Sequence, residues 1–533
     1  MSLPFLLAPG RWLVGLIRED PLRAILIPIG IHLALWTFLP AFFWQSAPLD
    51  VVEGYFWGRE WEWGYHKHPP LSAWMLEALL VLGDGIWTSY LLGQISVIVT
   101  LLAVWGLARP MVGGPAAALA VLALDLNFYF TFPTTEFNPN VLQMPLWALA
   151  ILHFHHALTT ARWRYYFLTA LWMGLLIYTK YSAVILALAF ILVVLATDRG
   201  RAALRSPKLY IAALAALALA LPHFHWIVAS DYLPFTYALS QKEAPDLATR
   251  LYFPSNFLAA QIACHAVLFA VALWLAIGAR GPARDCPQIP VQAASPFDRT
   301  YVFIMALGPL GVSLVLCFAL GIEFLTMWGM PMFALSGLAL IVAANRSFRA
   351  WGAARLATLY LVFLISLPVA VTLGLVATPV LTGKPSRTMW PGEYHGWVVN
   401  DQWRRETGQP LRVVAGPAWE AGLVGLHGQD RPSVLMDGDF RGAPWIDRDR
   451  LAETGLAIVW RVRDPTGTPP AWVSETFPDR IDLGLYDLPA YSLPGLGRSP
   501  DPYAAIGIAI VPPQPRQSAS GISLDGTASI TAQ

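Results

Sequence analysis

The chain has 533 residues, 56% of them hydrophobic and 13% charged, with a formal net charge of +1 and a mean hydropathy of +0.52. A soluble domain carries ~25% charged residues, so this composition excludes an ordinary soluble protein, and the near-neutral charge leaves no nucleic-acid footprint. The three cysteines, Cys264, Cys286 and Cys317, form no CxxC pair and point to neither a disulfide framework nor thiolate–metal chemistry.

In chain order, "MSLPFLLAPGRWLVGLIRED" reads as an interfacial lead-in without a small-residue cleavage site. About eleven apolar runs follow that approach the ~20 residues needed to cross a bilayer as helices. They lie near 22–43, 86–108, 114–133, 141–158, 165–180, 182–197, 209–229, 257–279, 301–320, 326–344 and 354–378. With the N-terminus inside, one set of loops collects Arg11, Arg18, Arg23, Arg109, Arg162, Arg164, Arg199, Arg201, Arg205, Lys208, Arg280, Arg284, Arg299, Arg346, Arg349 and Arg355. The opposite short loops hold only Arg59, Lys67, Lys180, Lys242 and Arg250, a bias that matches the positive-inside rule. The acids Asp50, Glu53, Glu60, Glu62, Glu136, Asp231, Glu243 and Glu323 fall on that opposite, outer side.

The expected fold is therefore mainly α and polytopic: a transmembrane module over 1–379, with an outer loop at 44–85 carrying interfacial helices. Beyond residue 380, "LRVVAG", "PSVLMDGD" and "GLAIVWRV" read as strands, with "PAWEAGLVGLHG" and "DRDRLAETG" as short helices or turns between them. This predicts a small α/β extracytoplasmic domain over 380–512. The polar tail 513–533 has the composition of a disordered segment.

The outer loop "LDVVEGYFWGREWEWGYHKHPPLSAW" concentrates the polar chemistry. Asp50 and Glu53 share a face if their turn is helical, and aromatics of the kind favoured where membrane meets water surround them. "TTEFNPN" adds Glu136, Asn138 and Asn140, and "IYTKYS" places Lys180 among apolar residues. A lysine at a helix end also snorkels with no further role. Asp125 lies inside a span, where a carboxylate faces a cavity, caps a neighbouring helix or pairs with a basic residue. His66 and His68, and likewise His223 and His225, are two apart; four histidines could ligate a divalent metal, although HxH alone is weakly specific.

The segment with Asp50, Trp57, Gly64, Tyr65, His68, Pro69 and Pro70 resembles the first outer loop of the GT-C membrane glycosyltransferases of the family 39 and 83 group. That group includes protein O-mannosyltransferases, the lipid A aminoarabinose transferase and rhizobial galacturonosyltransferases. "TTEFNPNVLQMPLWALAIL" resembles the second outer loop, with Glu136 in place of a usual Asp, and "GLLIYTKYSAVIL" resembles the Gly…Lys segment at Lys180. The resemblance covers roughly 20–345. It departs from the family's pattern at Val51, where a second acid often stands, and in "TMWGMPMF", which lacks a basic residue before the Trp.

The resemblance implies sugar transfer from a polyprenyl-phosphate donor to a hydroxyl of an envelope acceptor: lipid A, lipopolysaccharide core, another lipid or a protein. It implies inversion at the anomeric carbon, at the outer face of the bacterial cytoplasmic (inner) membrane. Asp50 is the expected base and Glu136 its catalytic companion. Lys180, His66, Lys67 and His68 are expected at the donor phosphate, with Glu53, Tyr65, Asn138 and His225 in support. A polyprenyl donor needs no nucleotide site, and the chain has no convincing P-loop or Rossmann fingerprint. The resemblance names no certain cofactor and is compatible with a divalent metal. A lipid or sugar transporter is the alternative that Asp125 and the many spans would suit, although the inverted halves of such proteins are not visible.

Overall fold

Asp20 opens the first long helix, Pro21–Phe43: its carboxylate accepts the Arg23 N–H at 3.1 Å, and Pro21 supplies a preset first turn. The computed structural model describes residues 7–83, 85–240, 245–278, 288–345, 348–384, 386–463, 466–489 and 504–514. Lys242, Glu243, Arg280, Arg284, Arg346, Cys286 and the expected disordered tail beyond 514 lie outside the described residues.

The chain divides into two compact units, Met1–Glu393 with Pro489–Ala504, and Tyr394–Leu488 with Ala505–Gln533. The first unit is helical throughout its core. Among the described residues, five helices are long and apolar enough to span a membrane: Pro21–Phe43, Trp87–Val112, Pro139–Thr160, Pro296–Leu320 and Ala353–Pro379. Four bent pairs raise the count to nine. One of them, Gly114–Asp125 with Phe128–Thr135, turns by 82°. Each apolar run expected from the sequence is helical here. The expectation of about eleven spans exceeds nine because Trp163–Ile177 and Ala183–Ala196 are only 15 and 14 residues long. By length alone neither passes as a span, yet Lys180, just past the end of Trp163–Ile177, meets Asn140 in the first turn of Pro139–Thr160, so that helix returns the chain to the side from which Pro139–Thr160 set out.

The lead-in forms helix Ala8–Glu19, which buries Leu13, Val14 and Ile17. A Cβ at Gly10 would collide with the Ala354 carbonyl, so the lead-in packs directly on helix Ala350–Thr382.

Asp125 pairs with a basic side chain. His32 Nδ1 lies 3.0 Å from its Oδ1, and the Tyr360 hydroxyl donates to its Oδ2 at 2.8 Å. The chain continues from His32 Nε2 to Gln94 Oε1 at 3.1 Å, and from Gln94 Nε2 to the Thr134 hydroxyl at 3.1 Å. It ends in the bent segment that leads to Glu136. A Cβ at Gly93 would strike the Thr134 carbonyl, so glycine is what lets helix Trp87–Val112 approach that segment.

The second unit holds a mixed sheet of β1 (Val413–Gly416), β2 (Ser433–Met436), β3 (Leu456–Arg461), β4 (Ile481–Leu488) and β5 (Ala504–Val511), in the order β2-β1-β3-β5-β4. Strand β1 runs parallel to β2 and β3, and β3 runs antiparallel to β5. The three strands read from the sequence are β1, β2 and β3, and the two helices fall at Ala418–His427 and Arg448–Thr454. Leu435, Leu456, Ile458, Trp460 and Val473 pack as the core on one face.

Candidate active site

Helix Leu49–Gly58 begins after Pro48 and carries Asp50 in its first turn, where the unpaired N–H groups favour a carboxylate. The next helix, Leu71–Leu79, crosses it closely: a Cβ at Gly58 would hit the Ala73 carbonyl. The segment "WGYHKHPP" between them folds back on itself. The Tyr65 N–H donates to the His68 carbonyl at 3.0 Å. The Tyr65 hydroxyl donates to the Trp57 carbonyl at 2.6 Å, and the two rings stack with centroids 5.4 Å apart. His66 and His68 both set ring edges against Trp57, at 5.5 and 6.3 Å. The prolines then release the chain into a helix whose first N–H, from Leu71, donates to the Tyr178 carbonyl at 2.9 Å. That bond fixes the loop beside the turn that carries Lys180.

Glu53 is buried and meets Lys67 Nζ with both carboxylate oxygens, at 2.9 and 3.2 Å. Burial opposes the Lys67 charge, but the ion pair with Glu53, aided by Asp50, holds the ammonium above its ordinary value. Burial, with the charges of Lys180, Lys67 and His66 nearby, keeps His68 well below the usual histidine range, so its ring is neutral.

The second and third segments close on Asp50. Asn138 caps helix Pro139–Thr160, its Oδ1 accepting the Asn140 and Val141 N–H groups at 2.9 and 3.3 Å. Its amide donates to Asp50 Oδ2 at 3.0 Å. Glu136 Oε1 accepts the Asp50 N–H at 3.1 Å. Burial and the adjacent Asp50 charge push the Glu136 carboxyl up to about 7.

Lys180 is 8% exposed and does not snorkel. Its ammonium donates to Asn140 Oδ1 at 2.7 Å and sits 4.4 Å from the centre of the Trp328 ring. Both partners are neutral. A chain of contacts thus links a carboxylate and an amine 130 residues apart in sequence: Asp50 to the Asn138 side chain, that side chain to the Asn140 backbone N–H, and the Asn140 side chain to Lys180.

Of the residues expected from the sequence, Asp50, Glu136, Asn138 and Lys180 join this chain, and Glu53, Tyr65, His66, Lys67 and His68 form the loop beside it. His225 does not come to the site: it is exposed, while His223 is buried. His223 Nδ1 lies 2.7 Å from the Trp63 carbonyl and Nε2 3.2 Å from the Tyr181 hydroxyl. With its two nitrogens so engaged, His223 ties the loop to the Lys180 turn, and the four histidines do not converge. Among the described residues no three His, Cys, Asp or Glu side chains are grouped to hold a metal.

Two residues escaped the sequence reading. Trp328 lies in the segment that lacks a basic residue, and its ring covers Lys180. Arg387 follows the last span, and its charge opposes in small part the rise that burial imposes on Glu53 and Glu136. A basic residue on the side where basic residues are scarce was the available signal for it.

Residues 67–226 match the family described as dolichyl-phosphate-mannose-protein mannosyltransferase. No curated protein matches the chain. The fold is similar to that of ArnT from Cupriavidus metallidurans, crystallised with undecaprenyl phosphate. The TM-score is 0.59 at 15% sequence identity, over 91% of this chain and 97% of that one. The apo crystal structure of the same protein gives 0.47 at 14% identity, over 91% and 97%. The arabinofuranosyltransferase AftD from Mycobacteria gives 0.45 at 14% identity, over 93% of this chain and 42% of that one. The chain is thus an integral membrane protein with the GT-C glycosyltransferase fold. The kinship read from the loop motifs is borne out by the family match over 67–226 and by the fold.

Proposed function

We propose that this protein is a membrane glycosyltransferase that moves a sugar from a polyprenyl-phosphate donor to a hydroxyl of an envelope acceptor. The observation that carries the reading is Lys180: a buried amine that burial brings down to about 7, whose partners among the described residues, Asn140 and Trp328, are neutral, and which Asn140 and Asn138 connect to Asp50. A buried charge without a counter-charge is costly, and an anionic phosphate would supply one. The family match over 67–226 and the similarity to a fold solved with undecaprenyl phosphate support the same donor class.

In this reading the acceptor oxygen attacks the anomeric carbon and passes its proton to Asp50, held by the Asn138 amide and anchored by Glu136 through its own N–H. The bond from the anomeric carbon to the phosphate oxygen breaks, and the electron pair leaves with polyprenyl phosphate. The leaving phosphate gains charge, so Lys180 and Lys67 stabilise the transition state more than the ground state. His66 and His68, flanking Lys67, shape the phosphate pocket. Backside attack makes the transfer inverting. The basic-residue bias puts the N-terminus in the cytoplasm and the site and the second unit on the outer face.

Mass spectrometry of envelope lipids and glycans from cells with the wild-type protein, with Asp50→Asn and with neither tests this. A mass increment present only with the wild type is expected, and it names sugar and acceptor together. Identical profiles in all three strains would sink the proposal.

A further inference from the structure

One buried polar network stitches the helices Pro21–Phe43, Trp87–Val112, Gly114–Asp125 and Ala350–Thr382 together and touches none of the groups assigned to sugar transfer. His32 is the twelfth residue of the 23-residue helix Pro21–Phe43 and lies halfway along it. Its Nδ1 is 3.0 Å from Asp125 Oδ1, and the other oxygen of Asp125 accepts the Tyr360 hydroxyl at 2.8 Å. Its Nε2 meets Gln94 Oε1 at 3.1 Å, and Gln94 Nε2 meets the Thr134 hydroxyl oxygen at 3.1 Å. All five side chains are buried, at 0% to 4% exposure.

The direction of each bond is fixed. A backbone carbonyl only accepts, so the Thr134 hydroxyl gives its one hydrogen to the Thr131 carbonyl, at 2.7 Å. Its oxygen therefore accepts from the Gln94 amide nitrogen, which turns the Gln94 oxygen toward His32. His32 Nε2 must then donate, and a second proton stands between Nδ1 and the Asp125 carboxyl group. The amide in the middle is a poor proton carrier, so the network holds groups in place and is no proton wire. Stability does not call for it either: apolar residues in place of a buried ion pair are often neutral or stabilising. An ionisable pair inside a membrane module is for that reason a functional candidate.

The network ends at the turn before the candidate site. Phe128–Thr135 bends 82° away from helix Gly114–Asp125. The close approach of Gly93 to the Thr134 carbonyl brings helix Trp87–Val112 against this turn, and the Gln94 bond, one residue on, fixes which way the turn faces. Just beyond it, Glu136 accepts the Asp50 N–H at 3.1 Å and Asn138 donates to Asp50 Oδ2 at 3.0 Å. Both holds on Asp50 thus hang from one turn. We propose that His32 is a positioning residue: paired with Asp125, it holds the Thr131–Thr134 turn through Gln94 and so sets where Asp50 points. The inference rests on the glycosyltransferase reading above. A misplacement of ~1 Å at a reacting group costs ~100-fold in rate, and a released turn would act on that scale.

Two variants of the full-length protein test this. H32F/D125L replaces the pair with apolar volume, and Q94M leaves the pair in place but cuts its tie to Thr134. Hydrogen–deuterium exchange of the purified proteins reads the turn. The initial rate at which the envelope mass increment accumulates, per molecule of protein, reads transfer. We expect thermal midpoints within a few degrees of the wild type, amide exchange over residues 128–136 about tenfold faster, and transfer lowered roughly 10- to 100-fold. Wild-type exchange over 128–136 in both variants would overturn the hold on the turn. Faster exchange with full transfer would overturn the link to Asp50 and leave the network purely structural. Transfer that falls only in proportion to a falling thermal midpoint would do the same. If H32F/D125L does not fold, Q94M decides. A wild type that gives no increment would sink the glycosyltransferase reading, while exchange over 128–136 would still decide whether His32 holds the turn.

Discussion

Glu136→Gln separates charge from shape at the candidate site. The amide keeps an oxygen to accept the Asp50 N–H that Glu136 Oε1 now accepts at 3.1 Å, but it cannot ionise. In the wild type the Glu136 carboxyl is pushed from 4.5 to about 7 by burial and by the Asp50 charge. At ~1.36 kcal/mol per pH unit this is about 3 kcal/mol against the ionised form. Because water reaches the half-buried carboxyl, we take about half, on the order of 1–2 kcal/mol. The sign follows from the raised value. The protonated form is favoured by folding, so its contribution is complete below pH 4.5 and fades as pH rises through about 7. Glu136→Gln should match the wild type at pH 5 and unfold at a higher temperature at pH 8, by a few degrees. The acid limb of the pH–rate profile near 7 should also change in the variant. The assay is the apparent thermal midpoint of purified protein at pH 5, 6, 7 and 8. Two parallel curves across that range would refute the claim that Glu136 titrates there.

Asp50→Asn should lower transfer by ~10²–10⁴-fold with the thermal midpoint unchanged, measured with purified protein once the acceptor is known. Lys180→Met keeps the stem beneath Trp328 but removes the ammonium; kcat should fall at least tenfold, and the variant should gain stability because a buried charge is gone. A Lys180→Met protein that turns over at the wild-type rate would remove the ammonium from the mechanism. Lys67→Gln strands buried Glu53 and should cost about 1–3 kcal/mol, most of it recovered in the Lys67→Gln, Glu53→Gln double variant. Strictly additive losses would show that the pair is not coupled.

Much of the site was legible because polar residues are conspicuous in so apolar a chain. Asp50, Glu136 and Lys180 stood out since each sits where an apolar run stops. The Asn138 cap was legible as an Asn-Pro step before a helical run. Other features were not. His225 and His223 have the same residue type and nearly the same address, yet only packing against Trp63 and Tyr181 makes His223 the structural one. Asp125 allowed several partners, and its choice of His32 and Tyr360 depends on which helices neighbour it. The bent spans were hidden because hydropathy counts apolar length and is blind to a turn of 82°.

The sequence by itself determined that the chain is a helical membrane protein with its reactive side chains in a few loops and a strand-bearing C-terminal unit. Hydropathy, capping and strand alternation are local properties, readable within a window of a few turns. Tertiary structure alone decided that Asn138 and Asn140 would join Asp50 to Lys180, that Trp328 would cover the Lys180 amine, and that Thr388 would be anchored beside the first loop. Those contacts bridge segments 40 to more than 300 residues apart. They exist because helices bury small residues such as Gly93 and Gly58 against backbone, and no local pattern records which partner each will meet.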